Sequence, residues 1–241
     1  MAENATEELR NSVLAALETY SNVHRGSGHY SQATAFLYHK AGEIVLEYLK
    51  LRNGPYKVIF LSPARAGAYK TRLRPGSFHC ISSKEIGLPL GVCALAVKRT
   101  KLPKVPLETG GGTARLVSPD WVVWSGAPER FEAGTPAIIN VIAFARALQL
   151  TVKYGKEIFG HKSTEKLTAS EILYQDELSG LSGKELLEKY RQMPVMHKGT
   201  VPAAGGEKAF INLDNGASTP TLVPVWKAFS ETLFRNSDLH I

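Results

Sequence analysis

Residues 136–150, PAIINVIAFARALQL, constrain this fold more than any other stretch. The composition favours a helix, yet only Asn140, Arg146 and Gln149 are polar, so apolar side chains fall on almost every side of it. Such a helix cannot lie on a surface. Pro136 suits its first turn, and the rest of the chain has to supply the walls that enclose it.

Those walls are predicted from periodicity. Leu9, Val13, Leu14 and Leu17 recur at helical spacing over residues 7–20, a polar stretch follows to 31, and a second helix is expected over 32–51. YKVIFLS (56–62) reads as a buried strand, and FHCISS and GVCALAVKR as two more around the turn-forming GLPLG. ARLVSPDWVVW is expected to be a bent strand or hairpin with Pro119 and Asp120 at the bend. The fold class is therefore α/β: one small sheet of these four segments, packed on the first two helices and on the apolar helix. Beyond Tyr154 charged, helix-forming segments replace strands, and MPVMHKGTVPAAGGEK has the Gly, Pro and Ala content of a linker. The tail, AFINLDNGASTPTLVPVWKAFSETLF, reads as a short strand, a turn and the start of a helix.

With 241 residues and 44% hydrophobic content, one or two compact units fit. No apolar run approaches the roughly 20 residues that span a bilayer, and MAENATEELR is polar and acidic where a signal peptide is basic and then apolar. A cytoplasmic protein without a membrane partner is expected. The charge of +7 invites a nucleic-acid reading, but lysine and arginine are interleaved with glutamate in EKLTASEILYQDELSGLSGKELLEKYRQ. A solvated surface and no nucleic-acid partner are expected, with a basic cleft for anionic ligands left open. Cys80 and Cys93 form no CxxC pair and no metal-ligand spacing, so both are expected to be core thiols and no metal is expected.

Three segments carry candidate chemistry. NVHRGSG (22–28) sets His24 and Arg25 in a glycine-flanked loop, where they can bind an anion or simply be solvated. ETGGGT (108–113) offers three consecutive glycines whose amides could cradle a phosphate, although it matches neither GxGxxG after a strand nor a P-loop; a flexible hairpin loop is the alternative. RFEAGTP (130–136) precedes the apolar helix, where Thr135 either helps hold an anion or caps the helix.

In order, NVHRGSGHYS, GLPLGVCALAVKR, GGGTARLVSPDWVVW and APERFEAGTPAIINVIAFARAL resemble the class V aminotransferase family, and within it the cysteine desulfurases, over roughly residues 14–150. The resemblance implies a reduced fragment of the fold-type I pyridoxal-phosphate transferase scaffold, a pyridoxal phosphate cofactor and a homodimer with sites shared between subunits. It implies that His24 and Arg25 match the family's N-terminal active-site loop. Thr135 matches the threonine that reaches the neighbouring subunit's cofactor phosphate, and Gly110 to Gly112 match the glycine loop beside the dimer interface.

The departures from that pattern are chemical. VIFLSPARAGAY stands where the family has a Gly-Thr-Thr phosphate cup, and Pro63 removes one amide. Aligned on Pro89 and Gly91, SSKE puts Glu85 at the Schiff-base lysine position and Lys84 at the preceding histidine, and a carboxylate cannot form an imine. Lys84 remains the one weak catalytic candidate, since Lys162 in GHKS lies after RFEAGTP. The ring-pairing aspartate, the stacking ring and the nucleophilic-cysteine loop have no counterpart, and Cys80 and Cys93 do not match the latter. Several large-domain strands are also missing, so exposed apolar surface, and with it self-association or docking to a full-length homologous module, is expected. INLDNGASTPTLVPVWKAF resembles the family's opening segment, here following everything else. A degenerate module is thus expected over 1–194, a linker over 195–208 and the opening of a second, incomplete module over 209–241, with a tail that folds back or swaps as the alternative. Three functions remain: a non-autonomous dimerising or regulatory half, an active pyridoxal-phosphate enzyme on a small amino acid completed by a partner chain, and a non-catalytic module binding an anion or an acidic protein.

Overall fold

The computed structural model describes residues 2–23, 28–160, 178–195, 199–209 and 221–235. Helices α1 (Ala2–Glu18) and α2 (His29–Tyr48) lead into strand β1 (Tyr56–Leu61), helix α3 (Pro63–Arg72), and strands β2 (Phe78–Ser82) and β3 (Cys93–Lys98). The hairpin β4 (Ala114–Val117) and β5 (Val122–Trp124) precedes helix α4 (Ile138–Tyr154). Helix α5 (Gly183–Gln192), strands β6 (Thr200–Ala203) and β7 (Gly206–Ala209), and helix α6 (Val223–Arg235) complete the described chain.

The central sheet runs β1-β3-β2, antiparallel throughout. Strand alternation divides its side chains between two cores. Ile59, Leu61, Cys93, Leu95 and Val97 pack with Ala66, Tyr69 and Leu73 of α3. Val58, Phe60, Ile81, Ala94 and Ala96 face the other way, onto α2 and α4. Ala94 and Ala96 lie in the middle strand and are fully buried, and their small side chains let the helices close on the sheet.

Helix α4 is enclosed as its composition demands. It packs against both α1 and α2, and Val141, Phe144, Leu148 and Leu150 are at most 1% exposed. Polar contacts fix the angle of α1: Glu8 accepts from Arg146 Nη2 at 3.0 Å and Lys153 Nζ at 2.7 Å, and also from the Tyr154 hydroxyl. The helix starts later than Pro136, because the Ile138 N–H turns back to the Pro136 carbonyl at 2.8 Å and the first helical bond runs from Val141 to Ala137. Thr135 therefore does not cap it. The capping position is Ala137, without a side-chain bond, and Thr135 is exposed.

Three further elements differ from expectation. ARLVSPDWVVW does not join the central sheet. Its halves pair with each other, the Ser118 N–H closing on the Trp121 carbonyl at 2.9 Å, and form a separate two-stranded sheet. PARAGAYKTR forms α3, which begins where Ser62 Oγ accepts the Arg65 amide and Pro63 takes the first turn. Between β2 and β3 the chain makes a 3-10 turn at Ser83–Ile86 before GLPLG, ending at Gly87 with φ +82°. A Cβ there would lie 2.5 Å from the Phe159 carbonyl oxygen, so only glycine admits this approach.

Within the stretch of linker composition, β6 and β7 form a hairpin, and the Tyr30 hydroxyl donates to the Thr200 carbonyl at 3.2 Å. The tail returns to its own chain. The Val195 N–H bonds the Thr221 carbonyl, the Val223 N–H bonds the Met193 carbonyl, and Leu233 of α6 is buried in the core around α4, with Trp226 and Phe229 packed beside it.

Phe144 is the largest side chain with no exposure, so Phe144→Ala is expected to lower stability by about 3–5 kcal/mol. Urea unfolding followed by circular dichroism measures it, and a loss below about 1 kcal/mol contradicts an enclosed α4.

Candidate functional site

The glycine loop and RFEAGTP meet at one place. The Gly134 N–H donates to the Gly111 carbonyl at 3.0 Å, and a Cβ on Gly110 would meet Ala133 Cβ at 3.4 Å. Arg65 of α3 clamps both segments, donating from Nη1 to the Ala133 carbonyl at 3.1 Å and pairing through Nη2 with Glu108 at 2.6 Å. Arg130 ties the motif to its surroundings through Nε to the Ser125 carbonyl at 2.8 Å and Nη1 to the Lys104 carbonyl at 3.1 Å.

Within the glycine loop, two amides already have partners. The Gly110 N–H donates to Thr113 Oγ1 at 3.1 Å, the Thr113 N–H returns to the Gly110 carbonyl at 3.1 Å, and Ser125 Oγ donates to the Gly112 carbonyl at 2.7 Å. Thr113 is 1% exposed, so ETGGGT is a closed turn braced by a buried hydroxyl. The amides of Gly110, Thr113 and Gly134 are thus not available to a phosphate.

Glu132 is the most unusual group here. Its carboxylate accepts the Phe60 N–H at 2.7 Å and the Tyr38 hydroxyl at 2.9 Å, and the residue is 6% exposed. β1 is an edge strand, and Glu132 takes up one of its outward amides where a neighbouring strand would otherwise bond. Burial pushes the carboxyl up to about 7 against the lowering effect of its two donors, with nearby Glu129 adding to the rise. The Tyr38 phenol is held well above its ordinary value, first by burial and then by the Glu132 charge. No sequence pattern singles out Glu132; the available signal is an acid flanked by Phe131 and Ala133 just before a buried helix.

Lys84 and Glu85 lie elsewhere, on the 3-10 turn before GLPLG. Lys84 is exposed. Glu85 folds back, its Oε1 accepting the Ser82 N–H and the Ser82 Oγ hydrogen, each at 2.9 Å. The turn packs against α4, and Asn140 Nδ2 donates to the Leu90 carbonyl at 2.9 Å, which brings this loop beside the start of that helix. Cys93 is buried in the α3-side core, where burial pushes its thiol up, and Cys80 is half-buried beside it. His24, Arg25 and Lys162 lie outside the described residues. Among the described residues no cluster of three His, Cys, Asp or Glu could hold a metal ion, and no helix is long and apolar enough to cross a membrane.

The model of the aminotransferase class-V family matches residues 76–198. A probable cysteine desulfurase from Staphylococcus aureus is 33% identical over 110 residues, which are 45% of this chain and 26% of that protein. A cysteine desulfurase from Escherichia coli is 34% identical over 80 residues, 32% of this chain and 20% of that protein. The chain thus spans about a quarter of the length of the curated relatives it matches. The apo structure of a cysteine desulfurase from Thermococcus onnurineus NA1 aligns with a TM-score of 0.47 at 16% identity, over 64% of this chain and 65% of that one.

Because folding raises the Glu132 carboxyl from 4.5 to about 7, the folded state holds its proton more tightly than the unfolded state. Stability is therefore present in full below the ordinary carboxylate value and lost as pH rises through about 7, by roughly 3 kcal/mol in all. Glu132→Gln is expected to flatten this part of the profile, read as unfolding midpoints from acid to neutral pH. A parent profile with no fall across that interval contradicts the assignment.

Proposed function

The chain belongs to the class-V aminotransferase family, and from that premise we propose that it is a cysteine-desulfurase-like member that forms no imine with pyridoxal phosphate alone. It works as a dimerising or regulatory half beside a second copy or a full-length homologous module.

One observation carries the reading: the turn at Ser82–Glu85. On the alignment through Pro89 and Gly91, Glu85 occupies the position of the imine-forming lysine, and its carboxylate is committed to the Ser82 amide and hydroxyl. The Glu85 carboxylate reaching back to the Ser82 amide belongs to a capping box, a structural device in its own right. The described residues do not fit the cofactor as the family holds it. On that alignment the lysine position carries an acid, the Lys84 side chain is exposed, and the Gly110 amide of the glycine loop is bonded internally.

The partner half of the reading rests on the β4–β5 hairpin. Leu116, Val117 and Trp121 are 60%, 73% and 53% exposed, an apolar surface on an isolated two-stranded sheet. Two-stranded ribbons are marginal in water, and exposed apolar groups on one favour docking. The return of α6 onto its own core supports a tail that packs in cis within such an assembly.

Titration with pyridoxal phosphate, followed by borohydride reduction and mass spectrometry, is expected to find no saturable imine. A single modified lysine at Lys84 would sink the non-catalytic reading and revive an enzyme completed by a partner chain. Separately, Val117→Lys with Trp121→Ser is expected to convert an oligomer to a monomer in light scattering. A parent chain that is monomeric at every concentration, and captures no homologous module, overturns the partner reading.

A further inference from the structure

The chain's charge is not evenly spread. Of its 29 lysines and arginines and 22 aspartates and glutamates, residues 48–107 hold twelve of the former and one of the latter, Glu85. The glutamates that interleave with lysine and arginine further along the chain are missing here, so this segment alone is strongly basic.

The fold gathers much of that charge at one end of the central sheet. Tyr56 opens β1 opposite Lys98, which closes β3, and β2 begins at the same end. Three backbone bonds lace the adjoining loops together: the Arg99 N–H to the Pro55 carbonyl at 2.7 Å, the Lys98 N–H to the Ser77 carbonyl at 3.0 Å, and the Ser77 N–H to the Arg74 carbonyl at 3.1 Å. Lys50, Arg52, Arg74, Lys98, Arg99 and Lys101 therefore converge, all exposed except the half-buried Lys98. Of these six, Arg52 alone has a carboxylate in ion-pair range among the described residues, Glu47 at 3.9 Å. Like charges gathered on adjoining loops raise the potential of the surface and are relieved by a polyanion.

We propose that this basic end of the sheet is a docking surface for the sugar-phosphate backbone of single-stranded nucleic acid. Two features favour that occupant over a protein. Among the described residues, Val105 is the single large exposed apolar side chain in the three loops, whereas a protein interface is built on an apolar centre. Beside the loops the exposed His79 ring stands edge-on to half-buried Tyr56, centroids 5.6 Å apart, an aromatic surface on which a base can stack. Phosphates would bind the convergent cations and release counterions, giving steep dependence on salt and little dependence on sequence. None of these residues belongs to the loops around Glu85 or Glu132, so the surface is independent of the function proposed above.

The test is fluorescence anisotropy of the full chain with a labelled single-stranded DNA oligonucleotide of mixed sequence. Arg74→Glu, Arg99→Glu and Lys101→Glu together remove three phosphate contacts, and affinity is expected to fall on the order of a hundredfold at about 0.1 M salt, with a shallower salt slope. A control with the same change in net charge, Lys156→Glu, Lys184→Glu and Lys208→Glu, alters exposed residues elsewhere and is expected to lose far less. The triple change to glutamine at Arg74, Arg99 and Lys101 gives the same direction without reversed charge, and circular dichroism melts report folding of each variant. No binding by the parent overturns the proposal, and so does equal loss in the two glutamate triples, which would mark net charge alone. Tighter, equally Arg74-dependent binding to polyglutamate or to phosphatidylserine vesicles also overturns it, because the surface would then serve a different partner.

Discussion

A helix that is apolar on nearly every side must be enclosed, and the enclosure of α4 sets the rest of this architecture. α1 and α2 cover two of its sides, and the small side chains of β3 allow the sheet to form the third. α1 is further held to it by the Glu8 carboxylate, which bonds Arg146 and Lys153. The other face of the sheet is closed by α3, so the middle strand β3 is buried on both faces. A sheet this narrow has edges, and how the molecule handles them decides where its loops sit.

One edge is handled by a side chain. Glu132 offers an acceptor to the outward Phe60 amide and a second to the Tyr38 hydroxyl, which joins β1, α2 and the loop before α4 through a single carboxyl. A buried carboxyl costs desolvation, and here that cost exceeds the benefit of its hydrogen bonds, as the upward displacement of its titration indicates. The loop is thereby fixed in place by a group that is least comfortable when ionised. Arg65 does the complementary work on the surface, drawing the glycine loop and Ala133 against α3.

The sequence made some of this readable and hid the rest for physical reasons. Apolar periodicity located α1, α2, α4 and the three strands of the central sheet, because each buries a continuous face. It misplaced ARLVSPDWVVW, whose alternation is that of any strand. Only pairing partners decide which sheet such a segment joins, and the Ser118 to Trp121 turn makes its partner local. It passed over α3 because the apolar residues of PARAGAYKTR are mostly small, and the available sign was the Ser-Pro pair that starts the helix. Of the candidate site residues, Glu85 was legible as the carboxylate that the resemblance aligns with the family's lysine, but its bonding to Ser82 needed the structure. The roles of Glu132 and Arg65 were not legible at all. Both depend on backbone groups more than 60 residues away in the chain, which no local pattern encodes.

The residues of RFEAGTP have packing partners of their own, independent of any reaction. Phe131 is buried against α3, with its ring edge-on to Tyr69 at 6.0 Å. Arg130 holds two carbonyls, Glu132 closes the β1 edge, and Gly134 adopts φ +85° while its amide reaches Gly111. Thr135, the residue for which the resemblance implies a phosphate contact, is exposed beside Gly134. Loss of Phe131, Arg130 or Glu132 would open the core or strand a buried polar group, which is a penalty of stability independent of any reaction.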